Sequence, residues 1–208
     1  MNPPKFTPKA KYNVADLVAL MSFLRSPDGC PWDGEQTHKS IRQNLIEEAY
    51  EVAEAIDTGD TYALKEELGD LLLQIVFHSS IAGFSMDEIA TGVTEKLVSR
   101  HPHLFGDTVA TDSSQVLDNW ERIKREEKSY HSLAEELSGI SRSLPALMRG
   151  QKICKKLQKA GVGATSAGDS LVDELWELCH RATAQGIDLE QELYFRCDSE
   201  INNVEAQG

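Results

Sequence analysis

Between Asp60 and Gly83 the chain carries Leu64, Leu68, Leu71, Leu72, Ile75, Val76 and Phe77. Wound at about 100° per residue, these side chains cover most of a helix's circumference. A helix apolar nearly all round must be covered on several sides. The segment therefore predicts either the centre of a tight helical bundle or an interface between two copies of the chain. The runs around it share the helical period. Leu17, Leu20, Met21 and Leu24 recur at i, i+3, i+4 and i+7 behind Asn13, a helix-capping residue. Ile41, Leu45, Ala49, Val52 and Ile56 fall in one narrow arc of a helix over about 37–57. Ser85 and Glu88 have the spacing of a capping box ahead of Ile89, Val93 and Leu97. Val116, Trp120 and Ile123 mark a fifth helix over about 115–127, and Pro145 opens another that runs through Lys159 and closes at Gly161. No stretch alternates convincingly with period two, so the expected class is all-α.

The segments between these helices suggest the domain organisation. Residues 1–12, with three prolines, read as a flexible arm. Residues 25–36 hold two prolines, two glycines, Cys30 and Trp32, which is a shaped loop and not a plain spacer. Residues 101–114 read as loop and 131–143 as a hinge. That division predicts a first domain over 13–130 and a smaller second part over 144–208, ending in two short helices.

Charge and composition exclude several classes. The formal net charge is −13, which repels a phosphate backbone and argues against a broad nucleic-acid interface. No apolar run approaches the ~18–20 residues of a membrane helix. The four cysteines are widely spaced without a CxxC pair, the pattern of reduced thiols. The first residues lack the apolar core of a secretory signal, so the expected compartment is the cytoplasm.

The chemistry concentrates in acidic residues. Glu47, Glu48 and Glu51 lie on the second helix as EExxE, and Glu67 and Asp70 on the third as ExxD. Residues three apart share a helix face, and the link at 58–60 is short enough to make the two helices antiparallel neighbours. Four or five carboxylates then crowd one groove with no lysine run to offset them. Lys65, the one cation on the third helix, projects elsewhere. A divalent cation relieves the repulsion, and an all-oxygen donor set selects magnesium, with manganese as a substitute. A di-iron carboxylate bundle would need Glu-x-x-His pairs. Here the i+3 partners are Glu51 and Asp70. Magnesium held this way bridges phosphates. Lys96 and Arg100 on the fourth helix, and Trp120 and Lys124 on the fifth, are candidate phosphate and base contacts.

Read in order from about Val14 to about Gly161, the segments GCPWDGEQTHKSI, LIEEAYEVAEAI, EELGDLLLQIVFH, EKLVSRHPHLFGD, WERIKREEK and SLPALMRGQKI resemble the MazG family of nucleoside triphosphate pyrophosphohydrolases. The resemblance implies release of pyrophosphate from a nucleoside triphosphate, Mg²⁺ as cofactor and a homodimer of helical bundles. It implies Glu48, Glu51, Glu67 and Asp70 as metal ligands and Glu47 as a further ligand or the group orienting the attacking water. Lys96 and Arg100 would meet the phosphates, and Trp32 would lie near the nucleoside. Full-length relatives carry two MazG-like domains. Here Glu174 and Glu177 keep an ExxE in the second part, but no ExxD follows it. That part is expected to be a degenerate copy, with turnover confined to the first. A nucleotide-binding or regulatory module without turnover is the alternative reading.

Overall fold

The computed structural model describes residues 5–106, 108, 110–163 and 170–205, with side chains up to residue 199. Among them every regular element is a helix. The chain divides into two compact units at Thr108/Val109. The sequence placed that division later, at 131–143.

In the first unit, α1 (Val14–Leu24) is capped as expected. Asn13 accepts from the Asp16 amide and Asp16 accepts from the Asn13 amide. Part of the expected arm is tied to this helix through a Lys9–Asp16 ion pair of 2.6 Å. Residues 1–4 lie outside the described residues. The shaped loop contains a short helix, α2 (Pro31–Glu35), with Pro31 in its first turn. Backbone approaches so closely here that a Cβ on Gly29 would sit 2.2 Å from the Phe23 carbonyl oxygen. Arg25 lies over the Phe77 ring at 5.2 Å and donates to the Asp33 carbonyl, which fastens the loop to the core.

The second predicted helix starts later than the periodicity suggested. α3 covers Arg42–Thr58. Residues 37–40 form a turn in which Thr37 and Ser40 satisfy each other's backbone N–H groups. α4 covers Thr61–Ala82, and the Asp60 side chain accepts from the Tyr62 and Ala63 amides. Gly59 at φ 71° reverses the chain between α3 and α4, a conformation that glycine adopts without steric cost. The core gathers Met21, Ile41, Val76 and Phe77, with Leu17, Val18, Leu72 and Leu73 packed against them. α5 (Met86–Ser99) follows with both halves of its capping box made. The expected loop after it contains one further turn, α6 (Pro102–Phe105).

The second unit holds α7 (Ser113–Glu127), α8 (Leu133–Ser138), α9 (Ala146–Lys159), α10 (Leu171–Gln185) and α11 (Leu189–Glu205). The expected hinge therefore contains a helix, capped by Ser132. Glu136 of α8 pairs with Arg125 of α7 at 2.6 Å and with Lys156 of α9 at 2.8 Å. Lys159 of α9 reaches Asp118 and Glu121 of α7. These ion pairs group α7 with the second unit. Pro145 caps α9 from one residue before its first helical turn, and Gly161 follows its end at φ 70°. The two last helices are longer than expected, at 15 and 17 residues. Cys154 and Cys179 are buried thiols of this core, and burial pushes Cys154 up to about 11. All four cysteines are free. No single described helix is long and apolar enough to cross a membrane.

Candidate metal centre

α3 and α4 pair closely along their lengths, because a two-residue link leaves them no other course. The pairing brings carboxylate oxygens of Glu48, Glu67 and Asp70 within 4.8 Å of one another. Six oxygens around one magnesium at ~2.1 Å would stand up to about 4.2 Å apart. Small side-chain rotations suffice to close this group on one ion. The donors are all carboxylate oxygens, a hard set of the kind that holds divalent cations.

The electrostatics show what the cluster lacks. Burial raises the Glu48 pKa first, followed by the charges of Asp70 and Glu51. Glu67 is raised in the same sense, again by desolvation first and then by Glu51 and Asp70. The neighbouring charges acting on both groups are all carboxylates. Crowded acids without a counter-ion resist ionisation, and a bound cation removes the cause.

Of the five carboxylates expected here, three converge directly. Glu51 is felt by both Glu48 and Glu67 but stands outside the tight trio. Glu47 is exposed and likewise outside it. One contributor escaped the sequence reading. Gln74 lies one helical turn beyond Asp70 on α4, is 6% exposed, and donates to the Glu48 carboxylate. Its Oε1 is buried without a hydrogen-bond partner. A polar side chain in the middle of Leu71–Phe77 was the signal available, since burying it costs free energy unless it is satisfied.

The remaining candidates are dispersed. Lys96 is exposed in the last turn of α5, and Arg100 is that helix's C-cap. Trp32 on α2 is 58% exposed, so it does not plug the core. Trp120 and Lys124 lie on α7 in the second unit and line a cleft there. Glu174 and Glu177 lie on α10. Among the described residues they join no group able to hold a metal.

Comparison with known proteins gives the family. The model of the MazG nucleotide pyrophosphohydrolase domain matches residues 36–105, the span that holds both acidic motifs. A nucleoside triphosphate pyrophosphohydrolase of Escherichia coli (strain K12) is 42% identical over 188 residues, covering 85% of this chain and 72% of that protein. The nucleoside triphosphate pyrophosphohydrolase/pyrophosphatase MazG of Thermotoga maritima is 42% identical over 150 residues, covering 70% of this chain and 57% of its own length. With its acidic helix pair inside the matched span, the chain belongs to the MazG nucleotide pyrophosphohydrolase family.

Proposed function

We propose that the chain hydrolyses nucleoside triphosphates to the monophosphate and pyrophosphate, and that the first unit carries the reaction. The observation that carries this reading is the convergence of Glu48, Glu67 and Asp70 within 4.8 Å with no cation among the charges acting on Glu48 and Glu67. Those three residues and Glu51 would hold Mg²⁺, or Mn²⁺ in its place. When bound, the ion supplies Lewis acidity toward a phosphoryl oxygen and a water of lowered pKa.

The chain's own residues do the rest. Gln74 restrains the Glu48 carboxylate through its amide. Glu47, exposed on α3 next to Glu48, orients a water and takes its proton in this reading. Lys96 and Arg100 bind the phosphates and balance the charge that develops on the departing pyrophosphate. Trp32 offers an exposed ring to the nucleoside.

A homodimer is part of the proposal. α5 exposes Ile89, Val93 and Leu97 at i, i+4 and i+8, and its main contact within the chain is the short α6. Leu68 and Ile75 of α4 are also exposed. An amphipathic helix with an uncovered apolar stripe is stabilised by a second copy. Sedimentation of the purified chain as a concentration-independent monomer would remove this part.

The test of the activity is direct. Purified protein incubated with each nucleoside triphosphate and Mg²⁺ should release pyrophosphate and the monophosphate in equal amounts. Folded protein that releases neither from any of them refutes the reading.

A further inference from the structure

α3 and α4 form a hairpin closed at one end by Gly59 and Asp60. At its open end the 37–40 turn, just ahead of α3, meets the closing turns of α4 through two histidines. His38 Nδ1 and His78 Nδ1 stand 2.8 Å apart, and the rings are parallel to within 8° with centroids 5.1 Å apart. That separation is two ring radii added to 2.8 Å. The two nitrogens therefore point at each other along one line, and the rings share a plane edge to edge. This is the geometry of a linear N–H···N hydrogen bond, with one proton between two imidazoles.

Packing alone does not account for the pair. His78 Nε2 is buried without a hydrogen-bond partner, so among the described residues the bond to His38 is the ring's one polar contact. A buried polar group costs free energy unless it is satisfied, and an apolar ring would fill the place at lower cost. Ile41, three residues after His38, already packs into the core with Val76 and Phe77. Apolar contact is non-directional, so it resists separation more than sliding. A linear hydrogen bond restrains both. Its place along α4 shows what is restrained. Asp70, Gln74 and His78 follow one another at four-residue steps, about 6 Å apart along one face. Asp70 meets Glu48 and Glu67, Gln74 meets Glu48, and His78 meets His38. The histidine contact thus lies one helical turn beyond the one that restrains Glu48.

On the metal site proposed above, we infer that His38 and His78 are a positioning pair, which sets the register of α3 on α4 and so holds Glu48 where it closes on a divalent cation with Glu67 and Asp70. The bond needs one proton between the two Nδ1 atoms. When both rings are fully protonated, two N–H groups face each other and the bond is lost. Burial first, and then the charge of His38, hold the His78 pKa below the usual 6.5. A lowered folded-state value means that the contribution is present above the unfolded value and is lost as pH falls through the folded one. Arg25 at the end of α1, Lys39 in the turn and Arg42 at the start of α3 are the other cations of this corner, with Glu47 and Glu48 farther along α3. His38 is the group whose charge acts on His78, and Arg25 is engaged by the Phe77 ring and the Asp33 carbonyl.

Binding of Mn²⁺ to the full chain, without nucleotide, is measured by electron paramagnetic resonance for the wild type, H38L and H38N. Mn²⁺ prefers carboxylates to imidazoles, so it reads the acidic cluster. Leucine removes the bond. Asparagine puts an amide where Nδ1 stood, and that amide donates to a neutral His78 or accepts from a protonated one. H38L should weaken Mn²⁺ binding by about tenfold or more, and H38N should restore it. Position 38 is exposed, and melting curves confirm that both variants fold. Between about pH 7.5 and 5.5 the wild type should lose affinity faster than H38N, and the ratio of the two cancels the protonation of the carboxylates themselves. Equal affinity of H38L and the wild type overturns the proposal. So does an H38N as weak as a folded H38L, which would make position 38 a packing contact, and so does a ratio that stays flat with pH. A wild type that binds no Mn²⁺ refutes the metal site itself, and the positioning role with it.

Discussion

Both units bring like charges together between helices, and they differ in where the counter-charge comes from. On α3 and α4 the carboxylates of Glu48, Glu67 and Asp70 meet, and no cation is among the neighbours that set the ionisation of Glu48 and Glu67. Between α7, α8 and α9 the cations meet an internal acid. Glu136 sits among Arg125 and Lys156, and they hold its carboxyl below the usual range. One cluster is left for an external ion to complete, and the other is completed in part by the fold. A carboxylate crowded by other carboxylates is poised for a cation, whereas Glu136, paired with cations of two other helices, holds structure. This difference separates candidate function from candidate architecture better than the density of charge alone.

The strongest way to break the comparison is to remove one member of the incomplete cluster. D70A should lower pyrophosphate release by about a thousandfold or more, the scale expected when a metal's ligand set is lost. Metal-free stability should hold or rise, because the repulsion on Glu48 and Glu67 is relieved. Calorimetry in EDTA reads the second effect. A thousandfold loss of activity together with a large fall in melting temperature would mean that Asp70 is architectural after all.

A milder probe sharpens the same contrast. Q74L keeps the volume roughly constant, removes the hydrogen bond to Glu48 and removes the buried Oε1 that lacks a partner. Turnover should fall by about 10–100-fold, as for other residues that orient a metal ligand, and the Mg²⁺ concentration for half-maximal activity should rise. Stability should change little, since an unsatisfied buried acceptor costs about 1–3 kcal/mol and its loss offsets that of the hydrogen bond. Unchanged Mg²⁺ dependence would deny Gln74 a positioning role.

The sequence revealed most of what local chemistry determines. Asn13 and Ser85 cap the helices they were expected to cap, because a side chain that meets its own next turn is a short-range event. The acidic pairs were legible for the same reason, since three-residue spacing and a short link leave little freedom. What escaped depended on distant partners. The hinge at 131–143 reads as weakly periodic, yet α8 forms there, capped locally by Ser132 through the Glu135 amide and anchored where Glu136 meets Arg125 and Lys156 from two other helices. That same clamp puts α7 in the second unit. Gln74 escaped because its meaning lies in Glu48, on another helix. Trp32 is solvent-facing despite its type, and nothing in its neighbours along the chain distinguishes an exposed tryptophan from a buried one.

Acidity sharpens the comparison further, because the two kinds of cluster respond to protons with opposite sign. Glu48 and Glu67 have folded-state pKa values raised above 4.5. Their contribution to stability is fully present below the unfolded value and is lost as pH rises through the folded one. Without metal, acidification from pH 7 toward about 5 should therefore stabilise the wild type relative to E48Q/E67Q. Glu136 is lowered, first by its hydrogen bond to Lys156 and then, against the effect of burial, by the charges of Lys156 and Arg125. Its contribution is present above the unfolded value and is lost as pH falls through the folded one. E136Q should cost about 1 kcal/mol at pH 7, an amount kept small by the half-exposed cations. That cost should hold steady down to about pH 4.5 and shrink below it. Melting temperatures of the wild type and both variants, taken in EDTA across this range, give two difference curves. If the fold supplies the counter-charge in one unit and leaves it to an ion in the other, the curve for E48Q/E67Q climbs on acidification before the curve for E136Q declines. Parallel curves would show that neighbouring charge does not distinguish the two clusters.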